Sequence, residues 1–168
     1  MQSRVVTKVV RPPIGCIVDL MHDPFDLARF VAAQAPVMAR VRAELTAGAK
    51  QSHWMWFVFP QIAGLGFSTM AQRYAIGSLD EARAFLAHPM LGPRLIDCVA
   101  LVLAVEGRDA QAIFSSPDDR KFHSSLTLFA RAAPDVAVFR QALAKYYGGA
   151  EDAATLVKLG LPHPLTEP

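Results

Sequence analysis

"SPDDRKFHSSLTLFARAAP", residues 116–134, decides between helix and strand for the centre of this chain. Ser116 is a cap residue, Pro117 suits a first helical position, and Asp119 puts a carboxylate in the first turn, where the helix dipole favours it. Phe122, Leu126 and Phe129 then fall at i, i+4 and i+7, one face of a helix. The same grammar continues downstream. "PDVAVFRQALAKYYGG" (134–149) opens near Asp135 and closes on Gly148, and "EDAATLVKL" (151–159) adds a last short helix. Upstream, "RLIDCVALVLAVEG" (94–107) is apolar on nearly every side from Leu95 to Val105, which predicts the central, most buried helix. "SLDEARAFLAHP" (78–89) offers Ser78 with Glu81 as a capping box and stops at Pro89. Ser68 caps a helix through Ile76, and a short helix lies around "DAQAIF" (109–114). At the front, Asp23 caps "DPFDLARFVAAQ" (23–34), and Pro36 separates it from a second helix in which Val37, Met38, Val41 and Leu45 form the apolar stripe. No run of period-two alternation interrupts these helices, so a sheet has nothing to build from. The expectation is an all-α, single irregular multihelical domain of about eight short helices over 23–159, with a flexible basic leader at 1–22 and a proline-rich tail at 160–168.

Composition narrows the class. Of 168 residues 52% are hydrophobic and 19% charged, a mix that folds and does not stay disordered. The net charge of +2 comes from Arg4, Lys8 and Arg11 against Asp19, so the body beyond Asp23 is neutral. A neutral body lacks a phosphate-neutralising face, and no nucleic-acid partner is expected. Cys16 and Cys98 lie far apart without CxxC or Cys/His spacing, which predicts no metal site, no disulfide framework and a cytoplasmic setting. No apolar run is long enough for a membrane span, and no membrane partner is expected. Neither a GxGxxG fingerprint nor a Walker A lysine is present, and no cofactor is expected.

Five segments carry a resemblance to a known family: "DPFDLARFVAAQAPV" (23–37), "KQSHWMWFVFPQIAGLGFSTMAQRYAI" (50–76), "SLDEARAFLAHPMLGPRL" (78–95), "DDRKFHSSLTLF" (118–129), and "YYGG" followed by "DAATL" (146–156). In order and spacing they closely resemble the bacterial family known as domain of unknown function 1810, over about residues 23–159. The resemblance implies a mostly α-helical single domain and brings no established activity. The name calpastatin, sometimes attached to the family, fits poorly, because calpain inhibitors are disordered repeat proteins. The chain departs from the family pattern at Ser115, where Gly is usual, and at His123 and Leu126, where Arg and Met are common.

Two stretches could carry chemistry. The first holds both tryptophans in "HWMWFVFPQIAGLG" (53–66). Read as structure, its aromatic half is a buried strap whose indole N–H groups meet backbone carbonyls. Read as a site, Trp54, Gln61, Gly64, Gly66, Ser68 and Arg73 would bind a ligand, with glycines allowing close backbone approach. Arg73 could instead pair with Asp80 or Glu81. The second stretch holds Asp119, Lys121 and Ser125 as candidate catalytic residues: a lysine beside a hydroxyl can hold phosphate or activate a nucleophile, and Asp119 could act as base. Lys121 and Ser125 are expected to share a face roughly opposite Phe122 and Phe129. The competing reading makes Asp119 a helix cap and the rest solvated surface.

The ligand expected from these residues is a small anionic molecule such as a nucleotide or phosphosugar. One alternative is a non-catalytic protein-protein interaction module that uses the aromatic strip. Another, by loose analogy to the NADAR family, is an N-glycosidic hydrolase: the likeness is size and a helix that begins at Ser68 and carries Tyr74. The acidic and histidine residues of that family are replaced here by Thr69, Met70 and Ala71. A ligand site requires Gln61, Arg73, Asp119 and Lys121 to converge on one cavity. Oligomeric state is not legible.

Overall fold

A computed structural model describes residues 22–162. Apart from His22 and residues 160–162, the expected leader and tail lie outside the described residues. Ten helices and no strand occur among the described residues: α1 (Ala28–Gln34), α2 (Met38–Thr46), α3 (Met55–Val58), α4 (Thr69–Arg73), α5 (Leu79–Ala87), α6 (Leu91–Ala104), α7 (Ala110–Phe114), α8 (Asp118–Ala132), α9 (Ala137–Tyr147) and α10 (Ala153–Lys158). The all-α architecture follows from the sequence as expected. Beyond the expected helices, the aromatic strip itself makes one turn, α3.

Local chemistry explains most boundaries. Pro36 sits in the break between α1 and α2, Ser78 Oγ accepts from Glu81 N at 3.1 Å, and Asp109 caps α7 through Ala112 N at 2.7 Å. Three starts differ from expectation. Asp23 accepts from Leu27 N and Ala28 N, because Asp26 takes a positive φ of 51° and delays the helix to Ala28. Ser116 does not cap α8; the carbonyls of Ser115 and Pro117 accept from Asp119 N and Lys121 N instead. The Glu81 carboxylate does not close the capping box on Ser78, being drawn to Gly77 N and Arg29.

The central helix is α8, packed by α5, α7, α9 and α10. Its residues from Ser124 to Ala130 are all buried. This corrects the expectation for α6, which exposes Pro93, Asp97, Ala100 and Ala104 and buries only one face against α2, α5 and α9. Short hydroxyls explain the difference. Ser124 and Thr127 hydrogen-bond the carbonyls of Arg120 and His123 one turn back, so burying them leaves little polar demand unmet. Aromatic rings run through the core from Phe30 to Phe85 (5.1 Å between centroids), Phe85 to Phe129 (5.4 Å), and from Phe122 to Phe59 (4.9 Å).

Arg29 ties the front of the domain together. Its guanidinium donates to the carbonyls of Phe25, Asp26, Arg73 and Ala75 and pairs with Glu81 at 2.8 Å. The loop from Gln61 to Ile76 is closed by an isolated parallel bridge, in which Ile76 N donates to Gln61 O and Ala63 N to Ile76 O, both at 2.8 Å. Among the described residues no single helix is long and apolar enough to cross a membrane.

Candidate functional site

The aromatic strap is held from below by one carboxylate. Glu44, buried on α2, accepts from Gln51 N, Ser52 N, Ser52 Oγ and the indole N–H of Trp54. Burial pushes the Glu44 carboxyl up, but these hydrogen bonds outweigh it and bring it down to about 2. The indole therefore meets a carboxylate, and not the backbone carbonyl that the strap reading expected. Trp54 is 1% exposed and belongs to the core. The turn of α3 buries Met55, Phe57 and Val58 and leaves Trp56 half-buried. Gln34 fixes this turn by donating to Phe57 O at 2.7 Å.

Trp56 forms part of a cleft of about 390 Å³. One wall is the loop after the strap, with Gln61, Leu65, Gly66, Phe67 and Ser68, continued by Ala71 of α4. The facing wall is α8 with the residue before it: Pro117, Arg120, Lys121 and Ser124 fall at i, i+3, i+4 and i+7. Asp152 and Ala154, at the start of α10, complete the lining.

Charge in the cleft is organised around two carboxylates. Asp118 bridges Lys50 at 2.8 Å and Lys121 at 3.0 Å. Burial pushes the Asp118 carboxyl up, yet hydrogen bonds and charge from the two lysines hold it below the usual carboxylate range. Each lysine also sits over an indole, Lys50 over Trp54 and Lys121 over Trp56, both 5.0 Å from the ring centroid. Asp152 Oδ2 accepts from Thr155 N and Thr155 Oγ1 and shares the single Ser124 hydroxyl proton with the Arg120 carbonyl, which joins α10 to α8. With those carboxylates engaged, Arg120 has no acidic partner among the described residues.

The candidate residues separate into two groups. Gln61, Gly66, Ser68 and Lys121 line the cleft, although Lys121 lies far from the first three in sequence. Trp54 lies beneath it in the core, and Arg73 is an exposed residue at the end of α4 whose guanidinium rests over Tyr74. Arg73 pairs with neither Asp80 nor Glu81, which are engaged by Arg83 and Arg29. Gly64 is exposed outside the lining; it takes a positive φ of 92°, and a Cβ there would come 3.1 Å from the Lys158 side chain. At Gly66 a Cβ would meet Ala71 Cβ at 2.6 Å, so this glycine lets the loop close onto α4.

Asp119 and Ser125 lie away from the cleft lining. Among the described residues Asp119 Oδ1 and Ser125 Oγ are both buried without a hydrogen-bond partner, and the Asp119 carbonyl accepts from the Tyr147 hydroxyl. Ser125 is 1% exposed, against the expectation that it shares a polar face with Lys121. At about 100° per residue, Ser125 stands only about 60° from Phe122 around the helix, on the packed side. Of the four residues required to converge, Gln61 and Lys121 meet, whereas Arg73 and Asp119 do not, so the site expected from the sequence does not form as such and the cleft is a different one, built on Gln61 and Lys121 with Arg120. Phe67, Arg120 and Asp152 are lining residues that the sequence reading of the site did not include, and Trp56 lines the cleft beside them. The spacing from Pro117 to Ser124 is the signal that could have revealed Arg120, whereas Asp152 is marked locally only as the cap of α10.

Comparison with known proteins agrees with the fold. The crystal structure of the conserved hypothetical protein Rv1873 from Mycobacterium tuberculosis is similar to this chain, at 57% sequence identity and a TM-score of 0.81. The alignment covers 83% of this chain and 100% of that one. No curated protein matches. A family model described as protein of unknown function, DUF1810, matches residues 24–159, and with nearly the whole helical domain inside that match, the chain belongs to this family.

Proposed function

We propose that the cleft between the 61–71 segment and α8 binds a small anionic molecule of the nucleotide or phosphosugar class. The observation that carries the reading is the placement of Arg120 and Lys121 opposite Gln61, Gly66 and Ser68 across one cavity of about 390 Å³. That volume is at the lower end of small-molecule sites. Lys121 is partly neutralised by Asp118, while Arg120 keeps its charge available for a ligand oxyanion. Gln61 and Ser68 supply neutral donors and acceptors on the facing wall. The strip from Trp54 to Phe59 is buried apart from Trp56, which leaves an interaction module little aromatic surface to offer a partner.

The test is thermal denaturation with nucleotides and phosphosugars, followed by calorimetric titration of any that stabilise. A ligand at about 100 times its dissociation constant adds about 2.7 kcal/mol to the folded state. The double variant Arg120→Ala, Lys121→Ala should fold and lose that stabilisation. No shift with any compound at millimolar concentration would sink the reading.

A further inference from the structure

Resting on that reading, we propose that the cleft is built for a mononucleotide and not for a phosphosugar, with Trp56 and Phe67 as the surfaces that receive the base. Phe67 is 86% exposed, whereas every other phenylalanine among the described residues is buried or half-buried. Its exposure is not that of a loose backbone. The Phe67 carbonyl accepts from Gln72 Nε2 at 3.1 Å, and the next residue, Ser68, caps α4 through Ala71 N. An anchored main chain thus holds an exposed aromatic residue at the lining of a charged cleft.

Trp56 supplies the second aromatic surface of the same cavity. Lys121 Nζ stands over this ring, 5.0 Å from its centroid, so a base stacking on that face displaces the ammonium to its edge and keeps a cation beside it. Arg120, one residue earlier on α8, extends that positive edge. Asp152 uses Oδ2 for its three hydrogen bonds, which leaves Oδ1 to accept from a sugar hydroxyl. Ring surface, carboxylate and cations are the complements of base, ribose and phosphate. A phosphosugar would use the last two and meet the rings only through its C–H face, without the flat π-surface that a base offers. The volume of about 390 Å³ suits one nucleotide and not a dinucleotide.

Binding of AMP, GMP, CMP, UMP, ribose 5-phosphate and inorganic phosphate is measured by calorimetry and by tryptophan emission, on the wild type and on Phe67→Ala. Phe67 is exposed, so its truncation leaves the fold intact. At least one nucleoside monophosphate should bind tenfold or more tightly than ribose 5-phosphate. Phe67→Ala should weaken that nucleotide about tenfold, the scale of one lost stacking partner, and leave ribose 5-phosphate within twofold. Equal affinity for ribose 5-phosphate and every nucleotide, or a nucleotide affinity untouched by Phe67→Ala, overturns the base-binding inference while the anionic-ligand reading stands. Failure of every phosphorylated compound to bind overturns both.

Discussion

Glu44 makes the sharpest stability prediction, because one carboxylate holds four donors of the strap that carries both tryptophans. Glu44→Ala removes every acceptor and strands the Trp54 indole N–H in the core. A hydrogen bond to a charged group contributes about 1.5 to 3 kcal/mol, and bonds sharing one carboxylate do not add in full, so the expected loss is about 3 kcal/mol. Glu44→Gln keeps the shape but turns one acceptor into a donor facing donors, for a loss of about 2 kcal/mol. At about 2 to 4 °C per kcal/mol in a domain of this size, that lowers Tm by about 4 to 8 °C. Acidity provides a second readout. The carboxyl lies at about 2 in the fold against 4.5 as a free group, a gap worth about 3 kcal/mol at 1.36 kcal/mol per pKa unit, reduced by solvent screening near the surface to about 2 kcal/mol. Because the folded value is the lower one, this contribution is complete above about pH 4.5 and fades as the pH falls toward 2. Urea denaturation followed by circular dichroism at pH 7, 4 and 3 measures both effects. The gap between wild type and Glu44→Gln should shrink steadily on acidification. A gap below about 0.5 kcal/mol at pH 7, or one that is the same at pH 7 and pH 3, would refute the argument.

Other expectations concern packing and backbone. Gly92→Ala should cost more than about 3 kcal/mol in urea denaturation or prevent folding, since its Cβ would lie 1.9 Å from the Leu86 carbonyl oxygen at the corner between α5 and α6. Ser115→Gly should stabilise by about 1 kcal/mol in the same assay: Ser115 has φ 63° and ψ 161°, a region that suits glycine alone, and relief of that strain exceeds the added chain entropy. Arg29→Lys should lose about 3 kcal/mol, because an ammonium cannot span the acceptors at Phe25, Asp26, Arg73, Ala75 and Glu81. Acrylamide should quench the emission of Trp56 and spare that of Trp54, so Trp56→Phe leaves a poorly quenched protein; strong quenching of the remaining indole would contradict its burial.

The match between sequence and structure is uneven for physical reasons. Phe122, Leu126 and Phe129 share a buried face as their spacing predicts, and Pro36 and Ser78 mark helix ends where local chemistry says they should. Which helix sits at the centre is different, because that depends on what surrounds it. The apolar run of α6 exposes Asp97 and Ala100, while Ser124, Ser125 and Thr127 of α8 lie inside. The site divides the same way. Gln61, Gly66, Ser68 and Lys121 stood out by residue type, whereas Asp152 reads locally as the cap of α10 and enters the cleft only because Ser124 and Thr127 tie α10 to α8.

By itself, then, the sequence determines the all-helical character and most helix boundaries, because periodicity, caps and prolines act over a few residues. Tertiary structure alone decides that Trp54 turns in toward Glu44 while Trp56 turns out toward Lys121, two residues apart in one run of rings. That choice rests on a carboxylate from α2 and a cation from α8, partners distant in sequence that only the packed chain brings to the strap.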